Sequence, residues 1–235
     1  MNEREKILAR VREALRLPAP KPGHAKNGAE QPAQTFQSQL SDGPAQRFRP
    51  LLPPGGTSAE DRLSLFQTNA TNLKADFHLV SDRQALAALL HRLRDAEKWE
   101  KVGSHGGDLT DFACASLGLP VCRTDAAYQV HELETCGAGL TLCDALVAQT
   151  GSVLITSRSA GGRALSVLPP HHVVLARRDQ LVGDLPEAFA LLESRYGENY
   201  PSFISFITGP SRTGDIERIL VLGAHGPKKL TIICV

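Results

Sequence analysis

The sequence predicts an α/β protein with an open, mostly parallel sheet flanked by helices. From residue 61 onward, short β-rich runs alternate with amphipathic helical stretches, the pattern that strand–helix–strand units of a parallel sheet produce. No stretch repeats another, so the alternation belongs to one domain rather than to an array. A chain of 235 residues, 42 % hydrophobic and 22 % charged, is long enough to enclose one core of substantial size.

Residues 2 to 16 place Ile7, Leu8, Val11, Ala14 and Leu15 on one stripe, with Asn2 as N-cap and Glu5 three residues further on. This is an amphipathic helix, ended at Leu17 because Pro18 cannot continue it. From there to about Ser58 the chain is rich in Pro, Gly, Gln and Ala, the composition of a linker or wrapping arm. An isolated helix of this length is marginal in water, so it docks either on the chain's own core or on a partner. The expected organisation is a helix and Pro/Gly-rich arm over residues 1–60, then an α/β domain over 61–235.

Within that domain, Asp61 to Leu73 reads as a helix, Phe77 to Val80 as a strand, and Ser81 with Gln84 as the capping box of a helix burying Leu86, Leu89, Leu90 and Leu93. Lys101 to Gly103 is a strand, Leu109 to Leu117 a short helix and Pro120 to Cys122 a short strand, while Leu140 to Leu146 carries no assignable pattern. Val153 to Thr156 and His172 to Ala176 are β-rich. Asp184, with Glu187 at the third position, caps a helix that sets Leu185, Ala188, Phe189, Leu192 and Tyr196 on one face, and Gly197 ends it. Phe203 to Thr208 is a strand. Thr213 then caps a two-turn helix with Ile216, Ile219 and Leu220 at helical spacing and Gly223 after its end, before a last strand from Leu230 to Cys234.

Composition excludes several function classes. The net charge of +1 divides into nine basic and six acidic residues over 1–60 and seventeen basic and nineteen acidic over the rest, which leaves no basic footprint for nucleic acid. No run is long and apolar enough to span a membrane and no secretory leader is evident, so the cytoplasm is the expected location, without membrane insertion. The five cysteines, Cys114, Cys122, Cys136, Cys143 and Cys234, include no CxxC pair and no ferredoxin-like run. Reduced structural thiols are expected, with no metal or cofactor in this chain.

The chemistry concentrates in the loop after Thr208, which reads Gly-Pro-Ser-Arg-Thr-Gly. Loops at the carboxyl ends of strands are where open α/β sheets bind ligands. Here Gly209 gives conformational freedom, Ser211 and Thr213 give hydroxyls, Arg212 a guanidinium, and Asp215 and Glu217 carboxylates. A ligand with an anionic group for Arg212 and hydroxyls or amines for the carboxylates suits this set better than bare phosphate, which Asp215 and Glu217 repel. The alternative is a structural turn in which Arg212 pairs with Asp215. His225 and Gly226 form a second tight loop, where the histidine serves as acid or base or caps backbone groups. Ser104, His105, Gly106 and Gly107 follow a strand and are expected in the same cleft. His171 and His172 are adjacent on a strand, so they point to opposite faces and do not share one metal. No GxSxG, Walker A or GxGxxG motif occurs.

The segments ALVAQTGSVLI, LPPHHVVLARRDQLV and GPSRTGDIERILVLGAHGP, in this order and at these separations, resemble the LUD domain of the lactate utilization protein C family. The resemblance spans roughly residues 61 to 235. It implies a fold similar to the sugar-phosphate isomerase, CoA-transferase and formyltetrahydrofolate cyclo-ligase folds. It also implies work with two partner proteins, some bearing iron–sulfur clusters, in oxidising L-lactate to pyruvate. The Gly- and Ser-rich segment that joins Thr150, Gly151 and Ser152 through Ser157 to Arg163 lets backbone approach a ligand or is a mobile hairpin, and the resemblance favours Arg163 and Ser166 facing the small-molecule site. Gln149 stands where the family carries an acid before the Thr-Gly pair, which argues against a carboxylate nucleophile there. A free-standing nucleotide-, folate- or CoA-ester-binding enzyme and a non-catalytic assembly module are the alternatives to a lactate-oxidising subunit.

Overall fold

The computed structural model describes residues 54–216, 219–222 and 226–235; the expected N-terminal helix and nearly all of the arm lie outside the described residues. The domain runs α1 (Ala59–Asn72), β1 (Asp76–Leu79), α2 (Arg83–Glu97), β2 (Val102–Ser104), α3 (Asp108–Leu117), β3 (Val121–Arg123), α4 (Val130–Glu134), β4 (Ala138–Thr141), β5 (Ala145–Val147) and β6 (Ser152–Thr156). It continues through β7 (His171–Ala176), β8 (Leu181–Val182), α5 (Leu185–Tyr196), β9 (Ile204–Ile207), β10 (Arg212–Ile216), β11 (Ile219–Leu222) and β12 (Lys229–Cys234).

Six strands form one sheet in the order β1-β12-β7-β4-β2-β3, and every neighbouring pair in it is parallel. Parallel strands are covered on both faces, and β7 shows it: all six of its residues are buried. Val173 and Leu175 point into a cluster with Leu86, Leu89 and Leu90 of α2 and Leu109, Ala113 and Leu117 of α3. Val174 and Ala176 point the other way, toward Phe66 and Ala70 of α1 and toward Leu146, Val153 and Ile155 of a second sheet. That sheet has the order β8-β5-β6-β9, with antiparallel pairings at β5/β6 and β6/β9, and α5 covers its outer side through Ala188 and Leu192. The expected α/β sheet flanked by helices is present, with this smaller mixed sheet added to it.

Caps set the helix starts. Ser58 accepts from Asp61 N and Asp61 returns the bond to Ser58 N, a full capping box on α1. Asp184 accepts from Glu187 N as expected. On α2 the cap is Asp82, which accepts from Ala85 N at 2.8 Å, rather than Ser81; the Ser81 hydroxyl is spent on Asp82 itself. Phe189 is 57 % exposed, so the apolar stripe of α5 is narrower than expected.

The largest departure lies after Gly209. In place of the expected helix, the described residues 212–216 and 219–222 are strands: β10 and β11 pair antiparallel, with Arg212 opposite Leu222 and Ile216 opposite Ile219. A three-residue spacing such as Ile216/Ile219 fits one helical turn and also the two ends of a tight hairpin turn. The β-branched Thr213, Ile216, Ile219 and Val221 favour the strand.

A strap over residues 157–170 crosses the face of the parallel sheet where two glycines leave room for it. A Cβ on Gly139 would meet Leu165 O at 2.3 Å, and one on Gly103 would meet Leu165 Cδ2 at 2.8 Å. Gly139→Ala is therefore expected to cost about 1–3 kcal/mol through overpacking, read as a lower urea midpoint at unchanged slope. An unchanged midpoint would mean that the strap is not held at this distance.

Candidate functional site

Where the strap, the end of β9 and the starts of β7 and β12 meet, the protein encloses a cavity of about 210 Å³. Its lining includes Ser166 of the strap, His172 of β7, Thr208, Gly209 and Ser211 after β9, and Gly226 before β12. Gly209 adopts φ +92°, and a Cβ there would lie 2.6 Å from Leu73 O and 3.2 Å from Arg212 Nη2, so the turn requires glycine and brings the guanidinium against it. Ser211 N donates to Pro227 O at 2.9 Å, which ties the two glycine-containing loops together. The Thr208 and Ser152 hydroxyls bond each other at 2.8 Å, and Ser166 Oγ donates to Arg163 O at 3.0 Å. His172 Nε2 lies 2.8 Å from Thr141 Oγ1. Burial, and after it the charge of neighbouring His171, pushes His172 down to about 3, so the imidazole is neutral near pH 7.

The structure brings together Gly209, Ser211, Gly226 and Ser166 of the expected site. Arg212 is exposed beside them. Arg163 is also exposed and contributes its carbonyl to the strap. Thr150 and Gly151 sit apart from the cavity lining: a Cβ on Gly151 would meet Asn69 and Ala70 of α1 within 2.8 Å, while Ser152 reaches the wall through Thr208. Thr213 and Asp215 lie on β10, and Glu217 and His225 lie outside the described residues. His172 and Thr208 are lining groups that sequence reasoning missed. The alternation of HHVVLA puts His172 on the same face as Val174, and that pattern was the available signal.

The position of the site differs from the expectation in one respect. The 209–213 loop follows the carboxyl end of β9, but β9 is the edge strand of the mixed sheet, and Gly226 and Pro227 precede β12. The cavity therefore lies at the amino end of the parallel sheet. The Ser104–Gly107 loop follows the carboxyl end of β2, and none of its residues is in the lining of the cavity. The carboxyl end is closed by internal bonds: His105 Nδ1 lies 3.0 Å from Gly106 O, its Nε2 accepts from Leu142 N, and Gly106 N donates to Asp125.

A larger cavity, about 460 Å³, opens beside the start of α1 between Arg62, Arg178 and Asp179. Its guanidinium at Arg62 is held by Glu187 at 3.0 and 3.1 Å. All five cysteines are buried and unpaired, and burial raises Cys136 and Cys234 to about 11, which keeps those thiols protonated. Among the described residues no group of three or more histidine, cysteine or acidic side chains is arranged to hold a metal ion, and no helix is long and apolar enough to cross a membrane.

Among the described residues, the Ser166 hydroxyl donates to a carbonyl and His172 Nε2 is engaged by Thr141, so these two do not form a serine–histidine relay. Hydroxyls, a neutral imidazole and an adjacent guanidinium equip it to hold a small polar anion. The fold defines an α/β domain built on a six-stranded parallel sheet. The chain belongs to the LUD domain family, whose profile matches residues 63–235.

Relatives agree with this assignment. The chain is 27 % identical over 219 residues to lactate utilization protein C of Shouchella clausii, covering 90 % of this chain and 94 % of that one. It is 38 % identical over 104 residues to lactate utilization protein C of a Geobacillus species, covering 43 % of each chain. A solved structure of a DUF162 family protein from Deinococcus radiodurans superposes with a TM-score of 0.58 at 24 % identity, over 77 % of this chain and 99 % of that one, which supports the fold.

Proposed function

We propose that this protein is a subunit of an L-lactate utilisation system, binding a small organic acid in the cavity beside Arg212 while partner proteins carry the electrons. The observation that carries the reading is the near full-length similarity to a lactate utilization protein C, joined to a cavity whose groups suit a hydroxy- or keto-acid. In this reading Arg212 holds the carboxylate, and the Ser211 and Thr208 hydroxyls bond the ligand's polar remainder. Oxidation of L-lactate to pyruvate releases two electrons and two protons. In this reading electron transfer falls to two partner proteins, some of them bearing iron–sulfur clusters, in the cytoplasm; the five cysteines of this chain are buried.

Arg212→Ala is expected to fold normally, since the side chain is exposed, and to slow growth on L-lactate while leaving growth on glucose unchanged. Affinity for the acid should fall about tenfold, the cost of one charge-assisted hydrogen bond. Wild-type growth on lactate in that strain would remove the role assigned to Arg212. Recovery of the chain with iron-containing partners from lactate-grown cells tests the subunit assignment independently.

A further inference from the structure

Several polar groups around the cavity beside Arg212 are already bonded within the protein. Thr208 shares a hydrogen bond with Ser152, Ser166 Oγ donates to Arg163 O, and His172 Nε2 lies 2.8 Å from Thr141 Oγ1. The polar contacts left to a ligand therefore centre on Ser211 and the neighbouring Arg212, whose Nη2 lies 3.2 Å from where a Cβ on Gly209 would stand. Much of the remaining wall is apolar: Val167 of the strap, Ile207 at the end of β9, Leu230 of β12, and Pro210 and Pro227. Ile207 and Leu230 are held by the core cluster on this side of the sheet. Val167 differs from them. It is 42 % exposed and no core cluster among the described residues includes it, so the branched hydrocarbon it presents to the cavity is partly open to solvent.

Lactate offers this wall a single methyl group. The cavity, at about 210 Å³, has room for about seven waters, whereas the few heavy atoms of lactate sit at bonding distances and fill less of it. Resting on the assignment of an organic acid to this cavity, we propose that the ligands it prefers are 2-hydroxy or 2-oxo monocarboxylic acids with a branched hydrocarbon side chain of about four carbons. Arg212 takes the carboxylate, Ser211 the oxygen on the second carbon, and the branched chain lies against Val167, Ile207 and Leu230. Among the described lining residues none is charged, so one carboxylate matches Arg212 and a second would be left without a partner. Each CH₂ moved from water onto such a wall tightens binding about fourfold. A side chain three carbons longer than a methyl group therefore gains about tenfold or more, even when only part of it is covered.

Calorimetric titration of the full chain at constant ionic strength, with L-lactate, L-2-hydroxy-4-methylpentanoate and L-malate in turn, tests this preference. The branched acid is expected to bind about tenfold more tightly than L-lactate or better, and L-malate no more tightly than L-lactate. Val167→Ser, at an exposed position and with folding checked by circular dichroism, should lower the ratio of the first two affinities about threefold. L-Lactate binding as tightly as the branched acid overturns the proposal and leaves the organic-acid assignment standing. A ratio that Val167→Ser does not change, or L-malate binding more tightly than the branched acid, overturns it in the same way. Absence of binding by all three acids removes both, so failure of the preference and failure of the underlying assignment are separately visible.

Discussion

Lowering the pH from 7 to 4.5 is expected to cost this protein about 5 kcal/mol, a loss comparable to the whole stability of many domains. The cause is the buried pair His171 and His172, 4 % and 1 % exposed, which burial pushes to about 4 and about 3. In the unfolded chain both titrate near 6.5. Between about 6.5 and 4 the unfolded state therefore binds up to two more protons at this pair than the folded state, and His105, which burial also holds below its ordinary value, adds to the loss in the same direction. Stability is fully present above 6.5 and falls with pH at roughly 2.7 kcal/mol per unit. Asp61, Asp82, Asp108 and Asp111 are held below the ordinary carboxylate range by hydrogen bonds and arginines, so their contributions vanish only at lower pH and do not blur this window. Urea midpoints at pH 7, 6 and 5 check the slope. A midpoint that does not move between pH 7 and 5 would show that the imidazoles have access to charge in the folded state.

Arg195→Met is expected to destabilise the protein by about 3–5 kcal/mol, more than Asp144→Asn at about 1–2 kcal/mol. Asp144 sits at the corner between β4 and β5 with a side chain only 2 % exposed, while that of Arg195 is 42 % exposed. One oxygen of Asp144 accepts from Arg195 Nη1 at 2.8 Å and from Tyr196 OH at 2.6 Å; the other has no partner among the described residues. Removing the arginine leaves a buried carboxylate with a single neutral donor. Removing the carboxylate releases the arginine to water and keeps an acceptor for Tyr196. Chemical denaturation of both variants at pH 7 reads the difference, and the reverse order would mean that the carboxylate is not the buried charge that the pair neutralises.

The parallel sheet was legible because its strands are buried on both faces and read as apolar runs between capped helices; Val173 to Ala176 and Leu230 to Cys234 are the plainest cases. The mixed sheet was harder to see. β5 and β8 are three and two residues long, too short for any period to show, and the pairing of β9 with β6 is set by contacts far apart in sequence. That pairing decides which end of the molecule the Gly209 loop occupies, which is why its residues were identified from sequence while its place relative to the parallel sheet was not. The hairpin of β10 and β11 was misread because Ile216 and Ile219 satisfy two geometries at once. Gly209, Ser211 and Gly226 carried a signal in their turn chemistry, whereas His172 and Thr208 join the cavity only through packing.

Calorimetric titration of the full chain with L-lactate and pyruvate tests the cavity beside Arg212 most directly. Saturable one-to-one binding of at least one acid is predicted, weakened about tenfold by adding Arg212→Ala. Equal affinity with and without the guanidinium, or no heat with either acid, would contradict the assignment.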